Sequence, residues 1–244
     1  MTATLYAMGS RKSADETANE KEDRGLLENL EVTTSENPEY SVVWMHGLGA
    51  DGHDFEPIVP YLGLAPDLAV RFIFPHALMR PITINGGAVM RAWYDIKEMS
   101  TNRGQDEAGI NDSAARICSL IDREIERGIP ASNIVLAGFS QGGAMALHVG
   151  LRYPHKLAGI MGLSAYLLFP DRLQTEYAKA NAQTSVFLAH GSQDPMVPIA
   201  LGQSVFSILK SGQWPVEWHS YPIPHSVSPE EIADIGRWLQ KVLG

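Results

Sequence analysis

The stretch that decides the fold reads Ile134-Val135-Leu136-Ala137-Gly138-Phe139-Ser140-Gln141-Gly142-Gly143. Its apolar, partly β-branched beginning predicts a buried strand, and the residues after it predict a tight turn that opens a helix. In the pattern G-x-S-x-G the serine takes a strained backbone conformation, and a glycine two residues away on each side leaves room for the crowded strand and helix. Ser140 is therefore predicted to be an exposed nucleophile rather than an ordinary turn residue.

A serine nucleophile needs two partners, because its neutral hydroxyl requires a base to take the proton and a third group to orient that base. On α/β sheets with this turn, the partners follow in the order Ser, Asp or Glu, His. His225 lies in the loop between the last predicted strand and the last predicted helix, where active-site loops of such sheets lie. Asp194 is the only acid between the preceding strand and the next helix, where its alternative role is a helix cap. The predicted catalytic triad is Ser140, Asp194 and His225.

Acyl transfer at such a serine also needs two backbone N–H groups that face the developing oxyanion. One comes from the residue after the nucleophile, Gln141, and the other from an early loop that follows a strand. That loop is His46-Gly47-Leu48-Gly49, and Leu48 is the predicted second donor. His46 precedes the serine, which is the wrong order for a base, so we interpret it as a structural hydrogen-bonding residue.

The same loop supports a rival interpretation, a dinucleotide-dependent oxidoreductase. Gly47-x-Gly49-x-x-Gly52 follows a predicted strand and matches the dinucleotide-binding pattern. That pattern requires an acid about 20 residues further on to hold the ribose. The next strand, Val70-Arg71-Phe72-Ile73-Phe74, ends in Pro75-His76 and supplies no acid. The rival is therefore disfavoured, and no cofactor is predicted.

Composition limits the other possibilities. The chain has 244 residues, 45% of them hydrophobic, a net charge of −9 and one cysteine, Cys118. This size favours one domain, and an acidic surface disfavours nucleic acid as a partner. A single cysteine excludes an internal disulfide, and the histidines lack the spacing of a metal site, so no metal is predicted. Cys118 is predicted to be a buried, inert thiol. No secretory signal or apolar span of about 18 residues is present, which favours a cytoplasmic protein without stable membrane insertion.

The pattern along the chain predicts an α/β fold with a single, mostly parallel sheet covered by helices on both faces. Residues 1–39 carry nine acidic and four basic residues, and we interpret them as a charged, flexible N-terminal extension before one domain at residues 40–244. Strands are predicted near Ser41–Met45, Val70–Phe74, Ile134–Ala137, Ala158–Leu163, Val186–Ala189 and Val216–Tyr221. Helices are predicted at about Asp106–Arg127, from Ser140 to before Pro154, at Ile199–Leu209, and from a capping box at Ser228, Pro229 and Glu231.

Several short motifs, in this order and spacing, resemble those of the carboxylesterase and acyl-protein thioesterase (phospholipase/carboxylesterase) family of α/β-hydrolases. They are His46–Gly52, Pro75-His76-Ala77, Trp93-Tyr94-Asp95, Gly138–Gly143, His190-Gly191 with Asp194-Pro195, and His225-Ser226. The likeness covers roughly Ser41 to Leu243. It implies the same triad and oxyanion donors, and it places Trp93 beside the acyl site. Leu78 and Met79 depart from the proline and valine usual after the His-Ala turn, in a loop that resembles the family's acyl-pocket wall.

The expected function is hydrolysis of carboxylic esters or acyl thioesters of short to medium chain length through an acyl-enzyme. The predicted wall of the acyl pocket is Leu48, Leu78, Met79, Ile82 and Trp93. The expected partner is a small ester or thioester, with a lipidated protein or lysophospholipid as the alternative substrate. The expected oligomeric state is a monomer or weak dimer. A catalytically silent binding module with the same fold is a rival from another class, and an intact set of catalytic residues argues against it.

Overall fold

The computed structural model describes residues 25–97 and 105–244, and its centre is a seven-stranded sheet. The strands are β1 (Asn29–Thr33), β2 (Tyr40–Met45), β3 (Val70–Pro75), β6 (Ile134–Phe139), β7 (Gly159–Leu163), β8 (Ser185–Gly191) and β9 (Val216–Tyr221). Their order in the sheet is β1-β3-β2-β6-β7-β8-β9. Every pair is parallel except β1 with β3. The predicted, mostly parallel sheet is confirmed.

Helices cover both faces of this sheet. They are α1 (Glu107–Glu126), α2 (Gln141–Gly150), the single turn α3 (Leu173–Glu176), α4 (Ile199–Ser211) and α5 (Pro229–Leu243). Side chains of α1, α2 and α4 share one core with one face of the sheet, whereas α5 packs with aromatic residues on the other face. Cys118 of α1 is only half-buried against the first core, so the prediction that it is buried was wrong. Within the part of the chain described here, each helix is too short or too polar to traverse a bilayer.

The parallel arrangement brings the carboxyl ends of distant strands to one edge. The loop after β2 carries Leu48, the turn after β6 carries Ser140, and the loops after β8 and β9 carry Asp194 and His225. Strands β2 and β6 are paired from Ser41↔Ile134 to Met45↔Gly138, so the first two loops begin side by side. Four segments separated by up to 177 residues therefore meet at a single edge of the sheet.

The folded domain begins earlier than the predicted boundary at residue 40. Strand β1 pairs antiparallel with β3 from Asn29↔Pro75 to Thr33↔Arg71. Leu30 and Val32 pack against the core, while the carboxylate of Glu31 lies 2.8 Å from Arg123 and 2.9 Å from Arg127. The charge from which flexibility was predicted thus forms ion pairs between an edge strand and the rest of the fold. The first part of the predicted extension, residues 1–24, lies outside the described residues.

A small hairpin that was not predicted from the sequence follows β3. It consists of β4 (Met79–Ile82) and β5 (Ala88–Arg91), paired antiparallel, and it does not join the main sheet. Gly86 and Gly87 both take positive φ, 66° and 82°, in the connection between the strands. A glycine pair between short apolar runs is a hairpin signal, but Pro81 obscured the strand pattern.

The predicted start of α5 is confirmed only in part. Ser228 caps the helix, since its side-chain oxygen accepts a bond from the Glu231 N–H at 3.1 Å, and Pro229 is the first helical residue. The reciprocal half of the capping box is missing, because neither carboxyl oxygen of Glu231 has a hydrogen-bond partner among the described residues. Glu231 is buried instead of reaching back over the helix end.

This buried carboxyl predicts an alkaline loss of stability. Burial raises the pKa of Glu231 from its ordinary value of 4.5 to about 8. The folded protein therefore keeps a proton that the unfolded chain releases, and the free energy of unfolding falls as the pH rises from about 4.5 to 8. We expect Glu231→Gln to raise that free energy by about 1 to 4 kcal/mol at pH 8, and by less than about 1 kcal/mol at pH 5. Urea unfolding at both pH values measures the difference.

The matched control is Glu230→Gln, because Glu230 is the neighbouring glutamate and is exposed. It should give no comparable gain at either pH. A gain at Glu231 that is equal at pH 5 and pH 8 would show that the effect comes from packing and not from the proton.

Candidate active site

The turn after β6 has the strained geometry that its sequence predicts. Ser140 takes φ 54° and ψ −119°, a region that residues with a side chain rarely occupy. A Cβ added to Gly138 would lie 2.2 Å from the carbonyl oxygen of Gly142, and one added to Gly142 would lie 2.3 Å from that of Met45. The two glycines are therefore required by close backbone contacts, and they allow helix α2 to start directly at the serine.

Hydrogen bonds hold this turn in place. The Ser140 N–H donates to the carbonyl of Leu163 at the end of β7, at 2.8 Å. Gln141 is the first residue of α2, where backbone N–H groups have no acceptor within the helix and carry the positive end of its dipole. The Gln141 N–H is thus available at the serine for an oxyanion.

Asp194 and His225 are joined by a short hydrogen bond. Their atoms Oδ2 and Nδ1 are 2.6 Å apart, and the His225 ring packs on Phe139, with 4.6 Å between the ring centroids. The other oxygen, Oδ1, accepts bonds from the N–H groups of Met196 and Val197, each at 2.8 Å. The capping role considered for Asp194 is absent, because helix α4 begins at Ile199 after Pro198 and has no side-chain cap. Oδ1 instead holds the loop before the helix, and Oδ2 is left for the histidine.

His46 is the first residue of the early loop, and its side chain is buried. Its Nε2 accepts a bond from the Ala77 N–H at 3.0 Å, so Nδ1 carries the proton and donates to the Gly47 carbonyl at 2.7 Å. Burial lowers the pKa of His46 to about 4. The ring is neutral at physiological pH and has both nitrogens occupied, which agrees with the structural role predicted for it.

The loop that carries Leu48 faces the serine. A Cβ added to Gly47 would lie 3.5 Å from the Ser140 Cβ, so the loop and Ser140 are in close contact. The backbone N–H of Leu48 has no acceptor among the described residues, although its neighbours Gly49 and Ala50 both donate within the fold. Leu48 and Gln141 therefore offer two unused N–H groups next to Ser140.

A cavity of about 770 Å³ opens beside these groups and is lined by Leu48, Ser140, Gln141 and His225. The rest of its lining is largely apolar, with residues from five separate segments: Ile84, Ile96, Phe139, Leu168, Met196, Val197 and Leu201. Charged and amide side chains also reach it, namely Asp54, Asn85, Asp95, Lys97 and Gln105. Such a cavity suits an apolar chain attached to a polar group at the serine.

The structure does not bring the predicted acyl-pocket wall to this cavity, except for Leu48. Trp93 and Ile82 are fully buried in the fold. Leu78 directly precedes the hairpin and Met79 begins it, with 39% and 58% of their surface exposed. The lining instead includes Leu168 and Leu201, from the loop after β7 and from helix α4. No local pattern marked these residues, because the loops meet only when the sheet is assembled.

One polar pair at the cavity was also missed. The hydroxyls of Tyr94 and Tyr166 are 2.7 Å apart, and both residues line the cavity. Burial raises the pKa of both phenols, so they stay neutral and bond to one another. Within residues 25–97 and 105–244, no cluster of three or more histidine, cysteine or acidic side chains has the arrangement of a metal site.

Comparison with known proteins gives consistent matches along the chain. A family model described as Phospholipase/Carboxylesterase matches residues 27–243. Acyl-protein thioesterase 1 of Neurospora crassa is 42% identical over 212 residues, which are 83% of this chain and 86% of that protein. Acyl-protein thioesterase 1 of Gibberella zeae is 40% identical over 214 residues, 83% of this chain and 90% of that protein. The crystal structure of Arabidopsis thaliana SOBER1 has a TM-score of 0.79 at 31% identity, and the match covers 84% of this chain and 99% of that one.

Proposed function

Because the chain belongs to the phospholipase/carboxylesterase family of α/β-hydrolases, a family of ester and thioester hydrolases, we propose that Ser140, His225 and Asp194 are its catalytic triad. The observation that supports this most directly is the 2.6 Å bond between Asp194 Oδ2 and His225 Nδ1 at the cavity that also holds Ser140. A carboxylate only accepts hydrogen bonds, so Nδ1 carries the proton and Nε2 has a free lone pair for the serine.

Acylation then follows from these positions. Ser140 Oγ attacks the carbonyl carbon as its proton passes to Nε2 of His225, and the carbonyl electron pair moves onto oxygen. The N–H groups of Leu48 and Gln141 bind that oxyanion, and Asp194 stabilises the imidazolium. When the tetrahedral intermediate collapses, the imidazolium gives its proton to the departing alkoxide or thiolate. Water, activated by the same histidine, then attacks the acyl-serine and releases the acid.

The substrate we propose carries a short to medium acyl chain in the apolar part of the cavity. The relatives named acyl-protein thioesterase favour a thioester on an acylated protein as the natural form of this substrate. Rates with acyl thioesters, S-acylated peptides and oxygen esters of one chain length test this choice. A fluorophosphonate should label Ser140, and an unlabelled protein would instead be a binding module. The cytoplasmic location and the monomeric or weakly dimeric state stay predictions.

The acyl cavity predicts a graded dependence on chain length. Each methylene that enters it should contribute about 0.8 kcal/mol, or roughly a fourfold gain in kcat/KM, until the cavity is full. We expect Leu201→Trp to make the gain level off at shorter chains, because Leu201 lines the cavity. The measurement is kcat/KM for p-nitrophenyl esters from two to twelve carbons, below the micelle threshold.

Leu78→Trp is the matched control, since Leu78 is an apolar residue directly before the hairpin and does not line the cavity. Its profile should follow that of the wild type. A flat profile in the wild type would remove the acyl cavity from the proposal. A rise in rate only above the micelle threshold would show that the site is closed in solution.

A further inference from the structure

Trp93 is buried, yet it contacts both parts of the proposed oxyanion hole. Its backbone N–H donates to Oε1 of Gln141 at 2.8 Å, and its indole N–H donates to the carbonyl of His46 at 2.9 Å. Gln141 supplies one proposed oxyanion donor, and His46 begins the loop that supplies the other. A single residue is therefore hydrogen-bonded to the segments on both sides of the hole.

The neighbours of Trp93 extend these contacts. The carbonyl of Arg91 accepts a bond from the Gly49 N–H at 2.9 Å, and the carbonyl of Tyr94 accepts one from Nε2 of Gln141 at 2.8 Å. The backbone is therefore fixed on both sides of Leu48, because His46, two residues before it, and Gly49, directly after it, are both hydrogen-bonded to residues 91–94. The Gln141 carboxamide uses both its acceptor and its donor on the same short segment.

Residues 91–94 are also hydrogen-bonded to parts of the fold outside the oxyanion hole. The Ser113 hydroxyl of helix α1 donates to the Trp93 carbonyl, and the Ala92 N–H donates to the Leu78 carbonyl at 3.1 Å. The Trp93 ring also packs on the His46 ring, with 5.3 Å between their centroids. All three polar groups of Trp93 are therefore bonded, each to a different element of the fold.

We propose that residues Arg91–Tyr94 form a clamp that sets the spacing between the N–H groups of Leu48 and Gln141, with the Trp93 indole and the Gln141 carboxamide as positioning groups. This rests on the proposed function, because the clamp matters only where these N–H groups bind an oxyanion. Both side-chain groups are hydrogen-bonded within the fold, so they act on the two N–H groups and not on the acyl group. Their contribution is to keep two donors from distant parts of the chain at the distances that the transition state requires, since stabilisation of an oxyanion depends on donors fixed in advance.

The test compares two tryptophans. Trp93→Phe removes the indole N–H and keeps an aromatic ring. Trp238→Phe is the matched control, because Trp238 is also buried but its indole nitrogen has no acceptor among the described residues. Each variant is assayed for kcat and KM on a p-nitrophenyl ester, and for inhibition by an alkyl trifluoromethyl ketone and by the alkyl methyl ketone of the same length.

The two ketones separate oxyanion binding from chain binding. With the trifluoromethyl ketone, Ser140 Oγ forms a bond to the carbonyl carbon, the serine proton passes to His225, and the carbonyl electron pair becomes an oxyanion. The methyl ketone offers the same chain but does not form this adduct readily. Loss of a donor outright costs about 10² to 10³ in kcat, so a displaced donor should cost about 10- to 100-fold.

We expect Trp93→Phe to lose kcat and trifluoromethyl-ketone affinity by the same factor, while KM and methyl-ketone affinity change less than about threefold. Gln141→Met removes the carboxamide but keeps the backbone N–H, and it should give the same pattern of losses. It tests the clamp independently if Trp93→Phe does not fold. Unchanged trifluoromethyl-ketone affinity in the folded variants, or an equal loss in Trp238→Phe, would overturn the clamp. A wild type that neither hydrolyses esters nor binds the trifluoromethyl ketone would overturn the proposed function instead.

Discussion

Ser140→Ala and His225→Ala should each lower kcat by about 10⁶-fold, and the double variant should be no slower than either single variant. The two groups act in one step, because the serine attacks only as the histidine takes its proton. Once either is gone, the other has nothing to act on. The residual rate, about 10³ to 10⁴ above water, should come from the oxyanion donors and from binding in the cavity. Single-turnover and steady-state rates on p-nitrophenyl esters measure all three variants.

Loss of the fold does not explain such an effect in Ser140→Ala. Alanine and serine both carry a Cβ, so the substitution adds no backbone strain at the φ of 54°. Ser164→Ala is the matched control. Ser164 also takes a positive φ, 46°, follows the neighbouring strand β7, and is buried, and its hydroxyl has no partner among the described residues. That variant should keep nearly the full rate. If the double variant were far slower than either single variant, the two residues would not act in one relay.

The strained turn at Ser140 was predictable from sequence because its requirements are local. Positions 138 and 142 require glycine, because a Cβ there would lie 2.2 and 2.3 Å from backbone carbonyl oxygens, and a ten-residue stretch contains nearly all of that geometry. The meeting of Asp194 and His225 was predictable for a different reason. Parallel strands bring the loops that follow them to one edge, so chain order alone limits which residues meet the serine there.

The acyl cavity was not predictable in the same way. Ile84, Leu168 and Leu201 come from three loops or helices, and each is an ordinary apolar residue in its own segment. Trp93 was placed beside the acyl site by family resemblance, but its hydrogen bonds to His46 and Gln141 depend on how the hairpin docks against the sheet edge. The cavity lining and the Trp93 contacts both depend on how distant segments pack after the sheet is assembled. The periodicity of the sequence does not indicate which of these segments meet.

Strand β1 shows a related limit. Its alternation of Leu30 and Val32 is short, and the surrounding charge made the segment look like a solvated tail. In the fold that charge has partners, because Glu31 bonds to Arg123 of helix α1 and to Arg127 directly after it, both more than 90 residues away in sequence. Composition therefore gave the wrong boundary where long-range ion pairs stabilise a charged edge strand.

Asp194→Asn should lower kcat by about 10⁴-fold while the fold survives. The asparagine oxygen can still accept the bonds that Oδ1 receives from the N–H groups of Met196 and Val197, so the loop after β8 keeps its shape. Its amide nitrogen would then replace Oδ2, 2.6 Å from Nδ1 of His225. An amide nitrogen donates, so it would require Nδ1 to accept and would place the imidazole proton on Nε2, facing Ser140. The serine would lose its base without losing any residue of the relay.

The control for this substitution is Asp171→Asn, because Asp171 is an exposed acid in the turn before helix α3. It removes the same charge from the protein and should leave kcat close to the wild-type value. Fluorophosphonate labelling should slow in Asp194→Asn by a factor similar to that for turnover, because both reactions need the deprotonated serine. Equal losses at the two positions, or a larger loss at Asp171, would show that Asp194 is not the acid. A normal labelling rate alongside slow turnover would place the defect in deacylation and contradict the tautomer argument.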